Sequence, residues 1–372
     1  MEHNQLDKQY NEVANNVLHN GHVKEDRTGT GTISYFDSTI RFNMFNGEFP
    51  LLTGKFVPFK TMTHELLWFL GSYDEKYKRF GNTNLRYLVD HNCNIWNEWP
   101  YEKYESSYTF SSNPNAYKDY NPVQGKMNME EYVERIKTDD GFALSYGDLG
   151  PVYGKQWTEW TTFNMKNIGT KLTGPDLKPD NINQIEQVID QLKNNPDSRR
   201  IMVNAWNVAE IDQMALPPCH YGFQFWTRDL TITERIKLAG KKLGKSEHYF
   251  EDFDDVDLDV HVGRKSVSLK FTMRSIDVGL GLPFNIASYG LLLHMIGHIV
   301  NMEPETLIWS GGDVHIYSNH TDQIKEQLRR TPKPLPRFKI NRKVESITDF
   351  RIEDFDLIDY DPHPHIKMDI AV

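Results

Sequence analysis

The chain has 372 residues, 38% of them hydrophobic and 12% aromatic, enough to bury a large core. A formal net charge of −10 argues against nonspecific binding to nucleic acid or to an anionic membrane, so an anionic small molecule would need a local arginine cluster. Two cysteines make no disulfide framework, no run reaches membrane-spanning length, and Met1-Glu2-His3-Asn4-Gln5 lacks a secretory pattern, so a reduced, cytoplasmic protein is expected.

Apolar spacing predicts a first amphipathic helix over residues 6–18, ended by Asn20-Gly21. Glu25-Asp26-Arg27-Thr28-Gly29-Thr30-Gly31-Thr32 is a Gly/Thr loop leading into a strand over 33–42. Glycines there permit close backbone approach and Arg27 can fork onto a phosphate, although a Gly-Thr turn is usually only a turn. A helix follows over 61–70, in which Glu65 adjoins Leu66-Leu67-Trp68-Phe69-Leu70. Such a carboxylate is either a surface edge or a buried acid with a raised pKa, and the rarity of buried glutamate favours the edge. For Trp96 and Trp99, three apart, the plain account is core packing, which suits Trp99, and Cys93 reads as structural.

Residues 101–146 are polar and rich in Tyr, Asn and Ser, with one helical stretch over 129–137. A further helix over 183–194 carries Ile185, Val188, Ile189 and Leu192 on one side. Between residues 228 and 265 the chain is first basic, with Arg235, Lys237, Lys241, Lys242 and Lys245, and then acidic from Glu247 to Asp259. The acidic part lacks the central Gly and terminal Glu of an EF-hand, so a solvated surface extension is expected rather than a calcium site. Residues 286–302 form a long apolar core helix. In Gly311-Gly312-Asp313-Val314-His315-Ile316-Tyr317, His315 and Tyr317 share one strand face, where both can reach a sugar hydroxyl. No further ligands stand at metal-binding spacing, and no metal is expected.

In Met214-Ala215-Leu216-Pro217-Pro218-Cys219-His220, two prolines stiffen the bend before a thiol, and a strand over 223–226 leads away. That thiol can be aimed at a substrate, although a lone cysteine is more often a small buried hydrophobe. Pro196-Asp197-Ser198-Arg199-Arg200-Ile201-Met202-Val203-Asn204-Ala205-Trp206-Asn207 precedes it, and residues 271–285, Phe-Thr-Met-Arg-Ser-Ile-Asp-Val-Gly-Leu-Gly-Leu-Pro-Phe-Asn, follow. Together these three long, ordered stretches resemble the thymidylate synthase family.

The resemblance spans most of 1–372 as a single catalytic domain, apart from a small insertion region at 101–146 and an extended hairpin insertion at 228–265. It implies an α/β (α+β) thymidylate synthase-like fold: a twisted mixed sheet flanked by helices, packed back-to-back with its twin in a homodimer. The alternation of predicted strands and helices independently supports an α/β layer architecture. By resemblance, Cys219 adds to dUMP, and 5,10-methylenetetrahydrofolate donates carbon and hydride, leaving dTMP and dihydrofolate. Glu65, Tyr153 and His220 then handle water and protons, and Arg274 favours the thiolate. Arg27, Arg274 and Ser275 clamp the phosphate together with Arg199 and Arg200, which the family donates across the dimer interface. His315 and Tyr317 bind the ribose. Asn285 selects uracil, because a primary amide complements O4 and N3. Asp277 binds the folate pterin and belongs with the catalytic set, while Lys55, Trp96, Leu280, Gly281 and Val372 complete the folate surface.

Departures from the family pattern are Phe56 in place of a basic residue, Met273 in place of glutamine, and Trp226-Thr227 in place of Tyr-Val. A dUMP hydroxymethylase, in which water captures the exocyclic methylene, would share Cys219 and Asn285. Trp96 and the family-like C-terminus argue for hydride transfer instead. A nonenzymatic nucleotide- or RNA-binding relative would have no need for Cys219 with its proton network.

Overall fold

The computed structural model describes residues 4–26, 29–45, 47–111, 126–163, 179–250 and 253–370. The chain forms two compact units, one of Met1–Thr63, Glu186–Val203 and Cys219–Val372, the other of His64–Ile185 and Asn204–Pro218. In chain order, α1 (Gln5–Asn20), β1 (His22–Lys24), β2 (Thr32–Asn43) and the start of α2 (Phe59–Phe69) belong to the first unit. The second holds the rest of α2, then α3 (Glu75–Lys78), α4 (Arg86–Asp90), α5 (Glu98–Ser111), α6 (Met129–Thr138), α7 (Asp140–Tyr146), α8 (Tyr153–Thr158), β3 (Trp160–Phe163) and β4 (Pro179–Ile182). Through α9 (Gln184–Asn194) the chain returns to the first unit with β5 (Met202–Asn204) and β6 (His220–Asp229). There follow α10 (Ile232–Leu243), α11 (Asp255–Asp259), β7 (Lys265–Asp277), α12 (Gly281–Val300), β8 (Glu303–Tyr317), α13 (Thr321–Leu328), β9 (Arg337–Ile340) and β10 (Phe355–Ile358). Among the described residues no helix is long and apolar enough to cross a membrane.

The first unit is built on a six-stranded sheet in the order β1-β2-β8-β7-β6-β5. β7 and β8 run parallel, whereas β1–β2, β2–β8 and β6–β7 are antiparallel. Parallel neighbours need a crossover, and α12 supplies it. This helix is apolar nearly all round, from Ile286 to Ile299, and so it is buried. Its Tyr289 stacks on Phe271 of β7 with ring centroids 4.0 Å apart.

Along β7 and β8 the covered face changes part-way. Phe271, Met273, Leu307 and Trp309 are buried in the first stretch, but Ile276, Val278, Val314 and Ile316, of the opposite parity, are buried in the second. Ser275, Asp277, His315 and Tyr317 keep the parity of Phe271 and Trp309 and are therefore left half-covered at the ends of their strands. Polar side chains thus gather, partly covered, at the ends of these two strands.

The connection between β6 and β7 differs from the expected extended hairpin. The two strands do pair antiparallel up to Asp229↔Lys265, but the residues between them form α10, a short 3-10 turn at Glu247–Phe250, and α11. Nor is the connection merely a solvated extension. Leu230, Leu238, Ala239, Phe250, Leu258 and Val262 form a small core of their own, with Phe45, Ile236 and Phe253 against it. Arg235 is buried beneath them, donating to Asp255 Oδ1, to Asp259 Oδ1 at 2.6 Å and to the Val262 carbonyl at 3.0 Å. The basic-then-acidic pattern is, in part, this internal pairing.

In the second unit the core is aromatic. Phe69 meets Tyr153 at 5.1 Å and Trp157 at 5.4 Å between ring centroids. A second cluster joins Tyr104, Tyr132, Phe142 and Tyr146, so the described part of 101–146 has packing of its own.

Candidate active site

Cys219 stands immediately before β6, half-buried, and its carbonyl accepts from the Arg274 N–H of β7 at 2.8 Å. Burial pushes the Cys219 thiol up, and the Arg274 guanidinium works against that shift by favouring the thiolate. Arg274 itself is exposed. Next to the thiol, His220 is buried with Nδ1 2.8 Å from the Tyr289 hydroxyl. Burial lowers the His220 pKa to about 3, so its ring is neutral at physiological pH.

At the end of β7, Asp277 accepts from the N–H groups of Gly279 and Leu280, both at 2.9 Å, and so fixes the turn into α12. Burial would raise this carboxyl, but His320 and those two donors outweigh it and hold it below the usual range. His320 Nδ1 lies 3.9 Å from Asp277, and its Nε2 bonds the Asp369 carbonyl of the C-terminal segment at 2.8 Å. Lys55 is buried and donates to the Gly279 carbonyl, with Met368 Sδ 4.0 Å away. Burial lowers its pKa to about 8 against the opposing charge of Asp277. A Cβ at Gly279 would come within 2.8 Å of Met368 Sδ, so the Met368 side chain would have to shift to admit one.

Gly281 opens α12 after Leu280, and the Asn285 amide donates back one turn to the Gly281 carbonyl at 2.9 Å. On β7 and β8, Ser275 lies opposite Asp313 and Asp277 opposite His315. The His315 and Tyr317 rings meet edge to face at 5.3 Å. Arg199 and Arg200 are exposed at the turn before β5. Arg27 and Val372 lie outside the described residues.

The second unit holds a separate constellation. Glu65, which residue type alone would have put at an edge, is buried on α2 and accepts from the Trp96 indole N–H at 2.7 Å. Burial raises its pKa to about 7, only partly offset by that hydrogen bond. Tyr153, the first residue of α8, is buried with its ring 6.0 Å from that of Trp96. Glu65 and Tyr153 thus both stand beside the Trp96 indole, and burial leaves Glu65 titrating near neutrality. Among the described residues, no group of three or more His, Cys, Asp or Glu is placed to hold a metal ion.

The family model for thymidylate synthase matches residues 8–372. The chain belongs to the thymidylate synthase family. Its relatives include the thymidylate synthase of Mycoplasma mobile, 41% identical over 365 residues, covering 98% of this chain and 100% of that protein. The thymidylate synthases of Listeria monocytogenes serotype 4b and Listeria innocua serovar 6a are each 39% identical over 376 residues, with 98% and 100% covered. The mixed sheet and its helices are the α/β fold of the thymidylate synthase family.

Sequence reasoning singled out neither His320 nor Tyr289. His320 lies three residues past the Gly311–Tyr317 motif, and its partner Asp277 is 43 positions away and met only through the β7–β8 pairing. Tyr289 is hidden within an apolar helix, and nothing in the sequence marks its hydroxyl as the partner of His220.

Proposed function

We propose that this protein is a thymidylate synthase, converting dUMP and 5,10-methylenetetrahydrofolate into dTMP and dihydrofolate. The observation that carries the reading is Cys219, presented at the head of β6 with the Arg274 charge acting on its sulfur, in a chain of this family. Cys219 Sγ adds to C6 of the uracil ring, which turns the unreactive C5 into an enolate carbon. Arg274 serves both the thiolate and, with Ser275 and Arg27, the phosphate. Asn285 offers a donor to O4 and an acceptor to N3–H, which discriminates uracil from cytosine. His220, neutral and tied to Tyr289, orders water near O4 by hydrogen bonding rather than by charge. Glu65 and Tyr153 give and take protons, and the Glu65 pKa of about 7 suits both directions. His315 and Tyr317 hold the ribose.

The residues present fit a folate. Asp277 is an acceptor-only carboxylate suited to the pterin donors, Lys55 is a buried cation beside it, and Leu280 and Gly281 follow at the helix start. Trp96 and Val372 are assigned to the same ligand. When bound, this co-substrate supplies the one-carbon unit and the hydride. The enzyme works as a homodimer in which Arg199 and Arg200 reach the other subunit's phosphate. Their exposure, and that of the apolar Met202 and Trp226 on the sheet, support this.

Incubating the protein with dUMP and methylenetetrahydrofolate should accumulate dihydrofolate. Release of tetrahydrofolate alone would overturn the synthase reading and install the hydroxymethylase, for which the thymidylate synthase relatives offer no support.

A further inference from the structure

Asp313 has no role in the proposed reaction, yet its carboxylate is tied on both oxygens at the end of the sheet. Its Oδ1 accepts from the Ser34 hydroxyl at 2.7 Å and its Oδ2 from Lys24 Nζ at 3.1 Å. Lys24 also donates to Ser34 Oγ at 3.2 Å. Both anchors come from β1 and β2, where Ser34 is directly opposite His315 in the ladder. Two residues along β8, and so on the same face, His315 places Nδ1 3.3 Å from Asp313 Oδ1. The His315 side chain is only 12% exposed.

A carboxylate accepts and cannot donate, so a ring nitrogen facing it carries the proton. That leaves Nε2 of the neutral ring as a lone pair for a ligand. A 2′-deoxynucleotide with its phosphate on the 5′ oxygen has one sugar hydroxyl left, at C3′, and this hydroxyl can donate to such a lone pair.

We propose that Asp313 is a positioning residue that fixes the Nδ1–H tautomer of His315 and thereby makes a free 3′-hydroxyl a requirement for tight nucleotide binding. The proposal rests on the reading of the protein as a dUMP enzyme. Lys24 and Ser34 hold the carboxylate in place, so the ring meets the sugar in one orientation. In Asp313→Asn, the amide oxygen turns to Lys24 and its N–H₂ to the ring. Nδ1 then becomes the acceptor, and Nε2 presents a hydrogen where the hydroxyl expects a lone pair.

The test measures dissociation constants for dUMP and for 2′,3′-dideoxyuridine 5′-monophosphate in wild type and Asp313→Asn, with steady-state kinetics on dUMP. The variant should bind dUMP about tenfold more weakly, with the loss in KM rather than kcat. Affinity for the dideoxy nucleotide should hold, so the preference for the 3′-hydroxyl shrinks about tenfold. Equal loss on both nucleotides, or an unchanged preference, would overturn the idea. Ser34→Ala, which removes one anchor, should move the preference the same way by less and serves if Asp313→Asn does not fold. Nitrogen-15 NMR of the His315 ring in the free protein is independent of turnover. It should show Nδ1 protonated in wild type and the other tautomer in Asp313→Asn, and a wild-type ring protonated on Nε2 alone would refute the claim. Wild type that binds no dUMP would instead refute the enzyme reading, leaving the ring measurement to judge Asp313.

Discussion

Because burial raises the Glu65 carboxyl from 4.5 to about 7, the folded chain keeps a proton over a range where the unfolded chain has released it. Below about 4.5 both states are protonated and the residue adds no pH dependence. Between about 4.5 and 7 stability falls with rising pH, by roughly 3 kcal/mol in all. Glu65→Gln keeps an acceptor for the Trp96 indole and removes the titration. Its unfolding free energy, followed by urea titration at several pH values, should gain on wild type by roughly 3 kcal/mol across that window. Parallel curves would mean that the carboxyl titrates as an ordinary surface acid. Cys219→Ala should leave dUMP binding measurable and abolish turnover, whereas normal turnover in that variant would remove the sulfur from the chemistry. At this scale the family was legible where residues adjoin in long motifs, as around Cys219 and Asn285. The sequence was silent on partners made by folding. The His220–Tyr289 bond spans 69 positions, and single-residue reasoning misjudged Glu65 because its burial comes from the aromatic core of its unit.

At the scale of elements, apolar periodicity placed α1, α6 and α9 to within two residues at each end, because each has one buried stripe. Gly21 closes α1 as expected, its N–H bonding the Val17 carbonyl while a Cβ there would approach that oxygen to 2.4 Å. β6 proved longer than 223–226 because its outward residues, among them Gln224 and Trp226, follow a two-residue alternation that polar and aromatic types mask. The connection after β6 was the hardest to read. Its apolar residues are sparse among charges, and only tertiary packing of α10 against the following turn and α11 brings them together. The sequence did carry one signal, the Thr231/Glu234 capping box that opens α10. Phe250 is fully buried in this small core, so Phe250→Ala should cost about 3–5 kcal/mol there. Hydrogen exchange should speed up through residues 232–262 while β6 and β7 stay protected. Unaltered exchange in α10 would show that the cluster contributes little.

At the scale of the whole molecule, one face of the six-stranded sheet carries α12, and the opposite face presents Met202, 54% exposed, and Trp226, 60% exposed, with half-buried Ile308. A twin subunit on that face would cover them. Trp226→Glu should therefore shift the protein to monomers in sedimentation experiments and lose activity, since Arg199 and Arg200 would no longer reach a second site. Mixing a Cys219→Ala protein with an Arg199→Ala/Arg200→Ala protein under exchange conditions should recover about a quarter of wild-type activity, as half the dimers then contain one complete site. No recovery, with mixed dimers present, would place those arginines in their own subunit's site. The β6–β7 pairing has another outcome at this scale. With Asp229 and Lys265 side by side in the ladder, the polypeptide departs and re-enters through a single doorway, but it is moored elsewhere too, with Lys242 Nζ 2.7 Å from Glu303 Oε1 at the start of β8 and Phe45 packed on its small core. Trading the helical annex for a tight turn would keep the doorway itself, yet it would strip the cover from Phe45 and leave the Glu303 carboxylate without its lysine.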